Sequence, residues 1–343
     1  MELAKLDREI SQIAEAERFS GVIRVTLKDN ILYERCIGDA DHEKKLPFTP
    51  ESMFTLYSLS KPFCAIGLLL LADKGLVDLD VHPGVYLKEA KHFDSRVTIR
   101  HMLNHTSGIP DFLRIDTFKN TPGTPEKIRE LLPVLAEHPT AFAPGTQDLY
   151  ANINFTLSAL IIENITGMPY ADYMKQEVFE PMGAKTLVVD SKSRVIPHRV
   201  QGYSLIDNVI TPIEKCHDWM LGAGDLVGRV EDVYCLNLAI KHRLLLKPET
   251  WEQVLTPSSI NNRGLGCTVH HNWHGKHRIT HNGGHRGFRT FHVQFPQDDL
   301  DVIILSNHGF GGARQAIVES VYRAFYQDEA APETELVLDY NLR

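Results

Sequence analysis

The sequence predicts an α/β chain of the α+β kind: an antiparallel sheet of five or more strands, flanked by helices, with an all-helical lobe inserted between its strands. Three observations lead there. Strand-like runs joined by tight turns occupy residues 21–38, and more of them occupy residues 265–307. The long stretch between carries mostly helical and irregular patterning. An amphipathic helix closes each end of this arrangement, so the two ends build one sheet and the middle folds beside it.

Residues 1–18 read as a helix, with Leu3, Leu6, Ile10 and Ile13 on one stripe. Residues 21–27 form a strand, Lys28-Asp29-Asn30 turns the chain, and residues 31–38 form the returning strand. A helix from about 58 to 74 is apolar on nearly every face between Phe63 and Ala72, the mark of a helix buried on all sides. Pro62 falls in its first turn, where proline is tolerated, and Gly75 suits its C-terminal stop. Thr98 caps a short helix through His101-Met102-Leu103, and the turn His105-Thr106-Ser107-Gly108-Ile109-Pro110 follows. Another helix starts near Asn152 or Asn154 and runs to Thr166-Gly167. Ala223-Gly224-Asp225-Leu226-Val227 opens a return segment, and Val230 starts a further helix. Residues 265–271 and 276–280 make a hairpin around His274-Gly275, with the following residues on an edge strand. Residues 288–295 and 300–307 make a second hairpin, residues 312–326 the last helix, and residues 327–343 an acidic tail. The expected division is a sheet lobe from 1–80 with 215–326, a mainly helical lobe from 81–214, and a cleft between them as the place for a site.

The chain has 343 residues, 43% hydrophobic and 23% charged, with a formal net charge of -8 and no dense Lys/Arg run. That balance disfavours nucleic-acid or anionic-membrane partners. The longest apolar run, residues 62–72, is too short to span a bilayer. The charged N-terminus lacks the apolar core of a signal peptide. Cys36, Cys64, Cys216, Cys235 and Cys267 are scattered and odd in number, as free thiols of a reducing compartment are. The expected address is the cytoplasm, or outside the cell if a leader has been trimmed away.

Ser58-Leu59-Ser60-Lys61 heads the apolar helix, and residues three apart share a helix face. A serine hydroxyl is a poor nucleophile at neutral pH until a nearby amine can take its proton. Ser-x-x-Lys is a known sequence form of that solution. Tyr150-Ala151-Asn152 follows, and then His281-Asn282-Gly283-Gly284. In this order the three motifs resemble the serine β-lactamase and penicillin-binding-protein superfamily of the class C type. That superfamily includes D-alanyl-D-alanine carboxypeptidases, D-aminopeptidases and family VIII esterases. Residues 76–80, 97–110 and 223–227 resemble its linking segments, and the likeness covers roughly residues 20–325.

The resemblance implies a β-lactamase/transpeptidase-like fold and a serine hydrolase that needs no metal or organic cofactor. It makes Ser58 the nucleophile of an acyl-enzyme, Lys61 its hydrogen-bonded partner, and Tyr150 the partner of Lys61 in proton transfer. Either Lys61 or Tyr150 takes the first proton. Asn152 would donate to a substrate oxygen and to Lys61, and the backbone N–H groups of Ser58 and Gly284 would form the oxyanion hole. Gly283 and Gly284 lack side chains, which lets backbone approach substrate. The third motif departs from the Lys-Thr-Gly of many relatives. His281 is a weaker carboxylate anchor than an ammonium, and Arg286 or Arg289 is the candidate replacement. Ester, amide or D-amino-acid peptide hydrolysis is therefore expected ahead of efficient β-lactam turnover. β-Lactams remain candidate acylating ligands, and a D-alanyl-D-alanine carboxypeptidase or weak β-lactamase is the alternative.

Other readings compete at each residue. Ser58 or Ser60, and Asn152, have the chemistry of plain helix caps. Tyr150 and His281 have structural alternatives, as a packed ring and a strand residue. Ser107 lies in a turn with no base at fixed spacing, and Cys64 reads as core. His270, His271, His274, His277, His281 and His285 invite a metal-dependent hydrolase, yet no ligand spacing such as H-E-x-x-H accompanies them. An inactive ligand-binding member of the same fold is the reading from another functional class.

Overall fold

The structure is a computed structural model that describes residues 3–112, 115, 125–191, 193–213, 220–273 and 275–326. The expected acidic tail, Cys216 and His274 lie outside the described residues.

The chain opens with helix α1 (Leu3–Ala16), then β1 (Gly21–Leu27) and β2 (Asn30–Ile37). Short strands β3 (Asp39–Asp41), β4 (Leu46–Pro47) and β5 (Phe54–Thr55) lead to a 3-10 turn, Tyr57–Ser60, and helix α2 (Lys61–Asp73). Helices α3 (Ile99–Leu103), α4 (Pro125–Ala136) and α5 (Ile153–Thr166) fill the middle of the chain. After them come β6 (Val188–Val189), the hairpin of β7 (Tyr203–Ile206) and β8 (Val209–Pro212), β9 (Leu226–Gly228) and helix α6 (Val230–Lys241). Strands β10 (Thr268–Trp273), β11 (Lys276–His285), β12 (Phe288–Phe295) and β13 (Leu300–Ser306) precede helix α7 (Ala313–Tyr326).

Six strands form one antiparallel sheet in the order β10-β11-β12-β13-β1-β2. The two chain ends join as expected: β1 lies between β2 and β13, with Gly21 opposite Ser306 and Leu27 opposite Leu300. Side chains alternate between faces along each strand. Ile23, Val25, Val293, Val302 and Ile304 pack under Leu6 and Ile10 of α1 and Ile317 and Val321 of α7. On the other face Val22, Ile279, Ile303 and Leu305 join the larger core with α2, α5 and α6. Helix α2 is buried from Lys61 to Leu71, as its all-round apolar pattern requires. It ends at Lys74 and Gly75, where φ is 73°.

Three expectations are corrected. The middle of the chain is not all-helical, because β6, β7 and β8 lie there. Val188–Val189 pairs with β9, which also pairs with β5 and so braces the approach to the Ser58-x-x-Lys61 motif. The β7–β8 hairpin turns at Asp207-Asn208, where both φ values are positive (49° and 62°), and Asn and Asp tolerate that region better than other side chains. Secondly, β10 starts at Thr268, not at 265. Thirdly, β11 is an interior strand. Its pairing with β10 stops at Thr280, so only its second half, with the third motif, is free of a β10 partner.

Leu69 is fully buried at the centre of α2. Leu69→Ala is expected to lower the unfolding free energy by about 2–5 kcal/mol, read as a lower denaturant midpoint with an unchanged m-value.

Candidate active site

Three chain segments meet at the head of α2. The first is the turn itself. Leu56 N donates to Leu226 O (2.9 Å) and Ser60 Oγ accepts from Leu226 N (3.0 Å), which fixes the turn on β9. Ser60 therefore serves as an anchor and makes no side-chain cap bond. Tyr57 has φ of 48°, a left-handed conformation that costs a bulky residue of order 1–3 kcal/mol and that recurs at functional sites. Its hydroxyl donates to Arg286 O (3.1 Å), which helps to hold it there.

Lys61 is the hub. Its Nζ donates to Ser58 Oγ (3.0 Å), Asn152 Oδ1 (2.8 Å) and Ala223 O (2.7 Å), which satisfies every ammonium proton. The side chain is wholly shielded from solvent. Burial pulls its pKa down to about 7; Arg263 acts in the same direction, and Asp111, Cys64 and Asp225 oppose it.

The second segment brings Asn152 and Tyr150. Asn152 stands at the N-cap position of α5 but makes no cap bond. Its Nδ2 donates to Asp111 Oδ2 (2.8 Å), so its Oδ1 is turned to Lys61 and accepts from it, the reverse of the expected donation to the lysine. Tyr150 is 5% exposed. Its ring stacks on His105 at 4.2 Å and 18°, with Lys61 Nζ 4.7 Å and Arg263 Cζ 5.2 Å from the ring centre. His105 Nδ1 accepts from Ala151 N (3.2 Å), and burial holds its imidazole neutral, far below the usual pKa. The Ser107 hydroxyl donates to Asn154 Oδ1 (2.9 Å) and accepts from Ile109 N (3.2 Å), an arrangement that closes a turn.

The third segment is β11, laid against the turn. A Cβ on Gly283 would stand 2.0 Å from Leu56 O and 2.3 Å from Thr290 Oγ1, so no other residue fits. Thr290 Oγ1 donates to Leu56 O (2.7 Å) and ties β12 to the same turn. Gly284 faces the Arg289 side chain, whose Cδ is 3.0 Å from where a Cβ would stand. His281 is buried. Burial, and then the Lys61 charge, hold it neutral well below the usual pKa. Its Nδ1 lies 2.7 Å from Asn282 O. A carbonyl only accepts, so that nitrogen carries the proton and Nε2 keeps a lone pair. Arg286 is exposed in the β11–β12 turn. Arg289 is half-buried and donates to His285 O (2.8 Å) and Phe288 O (3.0 Å).

Ser58, Lys61, Tyr150, Asn152, His281 and Gly283 thus come from three separate segments into one neighbourhood, with Gly284 next along β11 and Arg286 at its outer turn. The motifs omit Asp111, Asp225, Arg263 and His105. Asp225 Oδ2 accepts from Gly222 N (2.8 Å), and burial raises its carboxyl to about 7. His105 and Asp225 sit in the linking segments 97–110 and 223–227, and Asp111 directly follows the first, where a buried charged or ring residue beside turn glycines was the available signal. Arg263 had none. Among the described residues no three His, Cys, Asp or Glu side chains gather as a metal-ligand set. Among them, too, no helix is long and apolar enough to cross a membrane.

A family model described as Beta-lactamase matches residues 6–322. The chain belongs to the Beta-lactamase family. This is a family of serine hydrolases of one fold, with penicillin-binding proteins and D-aminopeptidases among the relatives of this chain. Penicillin-binding protein 4* of Bacillus subtilis (strain 168) is 27% identical over 317 residues, covering 86% of this chain and 69% of the relative. A D-aminopeptidase of Gluconobacter oxydans (strain 621H) is 23% identical, covering 89% of this chain and 59% of the relative. The chain therefore spans little more than half of that enzyme. The crystal structure of a penicillin binding protein from Bacillus halodurans superposes with a TM-score of 0.80 at 22% identity, covering 92% of this chain and 99% of that one. At that identity the likeness shows the fold, a β-lactamase/transpeptidase fold.

Gly283→Ala is expected to push β11 off the turn at Leu56 and to cost about 1–3 kcal/mol of stability, seen as a lower melting temperature.

Proposed function

We propose that this Beta-lactamase family member forms an acyl-enzyme on Ser58 and hydrolyses small esters, amides or D-amino-acid peptides. One observation carries the reading: a solvent-shielded lysine amine, its pKa drawn down to about 7, is hydrogen-bonded to the Ser58 hydroxyl and pinned from two other directions. An amine poised near neutrality suits proton transfer. Ser58 Oγ attacks the carbonyl carbon as its proton passes to Lys61 or to Tyr150. The backbone N–H groups of Ser58 and Gly284 receive the oxyanion, worth ~10²–10³ in rate per donor. The bond to the leaving alcohol or amine breaks, and that group takes the proton back from the Lys61–Tyr150 pair. Water then attacks the acyl ester, loses a proton to the same pair and restores Ser58. Asn152, turned to Lys61 by Asp111, presents its remaining amide N–H to the substrate.

The third motif supports ester and amide substrates over efficient β-lactam turnover of the class C kind. A neutral His281 gives no fixed cation for a β-lactam carboxylate, and Arg286 lies exposed at the outer turn. The name D-aminopeptidase on one relative supports amides of D-amino acids among the substrates. In the proposed two-lobe division, 1–80 with 215–326 supplies Ser58, Lys61 and His281, and 81–214 supplies Tyr150, Asn152 and Asp111. Substrate enters between them. The free thiols of Cys36, Cys64, Cys235 and Cys267 support a reducing, cytoplasmic address and soluble substrates.

Ser58→Ala is expected to abolish hydrolysis of a short-chain aryl ester by at least ~10³-fold and to remove the intact-mass adduct left by a fluorophosphonate. A persistent adduct in that variant would take Ser58 out of its role. A chromogenic cephalosporin, assayed beside the ester and a D-alanyl peptide, is expected to turn over slowest. With Lys61 as the first acceptor, the acylation rate should rise with pH and level off above about 7, because only the deprotonated amine accepts the serine proton.

A further inference from the structure

A guanidinium stands inside this site that none of the three motifs contains. Arg263 is 6% exposed. Its Cζ lies 5.2 Å from the centre of the Tyr150 ring. Its Nε donates to Asp148 Oδ1 (3.1 Å), two residues ahead of Tyr150. Asn261 Nδ2 donates to that same oxygen (2.7 Å) and to Asn104 O (3.1 Å). The pair is lopsided: the Asp148 side chain is 37% exposed and that of Arg263 only 7%. Solvent screens the carboxylate, while the positive charge sits on the buried side, beside the ring.

Resting on the reading of Ser58, Lys61 and Tyr150 above, we propose that Arg263 acts on acylation through the base: held beside the Tyr150 ring by Asp148, its buried charge favours the deprotonated form of whichever base takes the Ser58 proton. A cation within about 4–6 Å disfavours a second positive charge on an amine and favours phenolate over phenol. The other groups around this centre come from every element packed against it. Cys64 lies one turn along α2, and His105 and Asp111 lie after α3. Tyr150 and Asn152 precede α5, Asp225 precedes β9, and His281 comes from β11. Asp111 and Asp225 favour the charged lysine, and Arg263 opposes them. Burial keeps His105 and His281 neutral, with Arg263 adding to it at both. Arg263 thus works against the pull of Asp111 and Asp225 at the base.

The test is the pH dependence of Ser58 acylation by a fluorophosphonate probe, measured on the full chain from about pH 5 to about pH 9, where a base near neutrality titrates. Removing the charge with Arg263→Gln is expected to move the acidic limb upward by about one pH unit, a roughly tenfold loss of labelling rate on that limb, with a high-pH plateau within about threefold of wild type. Arg263→Lys keeps the charge and is expected to keep the limb within ~0.3 unit. A limb that stays put in Arg263→Gln while the plateau and melting temperature drop would leave Arg263 a packing residue and overturn the proposal. If Arg263→Gln does not fold, Arg263→Lys decides: a limb displaced by a full unit with the charge retained overturns it, and an unmoved limb supports it. Failure of the Ser58 reading looks different, since wild type would then take no label or Ser58→Ala would keep it.

Discussion

Moving an ammonium out of water costs several kcal/mol unless each of its protons finds an acceptor, and Lys61 has no solvent to turn to. Its three acceptors are a hydroxyl three residues back, an amide 91 residues on and a carbonyl 162 residues on. The head of α2, the start of α5 and the loop before β9 are therefore fastened to one another by a single nitrogen. The arrangement leaves the lysine poorly solvated, which draws its proton affinity toward neutrality. Stability and reactivity thus pull against each other at one atom.

The strand carrying the third motif obeys a different constraint. It approaches the turn at Leu56 so closely that backbone meets backbone, and Gly283 is the residue that permits it. Tyr57 supplies the counterpart on the other side, holding a backbone angle that bulky side chains avoid. Both are unfavourable choices for a strand and a helix start taken alone. They are reconciled where the sheet and α2 touch, and Thr290 Oγ1 on Leu56 O seals the contact.

Much of this was legible in the sequence because periodicity reports burial. The strand-like runs of β1, β12 and β13, buried on both faces, and the all-apolar α2 are set by the core around them, so their patterns survive in one dimension. The three motifs were legible because local spacing is part of their chemistry. What escaped is what depends on contact between distant segments. Strands β5, β6 and β9 have two or three residues each, and pairing with one another defines them, not any run of their own. Asp111 acts through Asn152, and Arg263 reaches Tyr150 across more than a hundred residues of chain. No fixed interval in the sequence marks such partnerships. The interior position of β11 was hidden for the same reason, since strand order is a property of the assembled sheet.

The pairing of β1 with β13 has a consequence for biosynthesis. A ribosome delivers β1 and β2 almost at once, yet the inner edge of β1 waits for residues 300–306, nearly the last of the fold to emerge. Until then a strand rich in valine and isoleucine presents unpaired amides to its surroundings, the condition under which nascent chains stick to one another. The pairing that closes the sheet is also the strand pairing with the greatest separation along the chain, and such contacts form slowly.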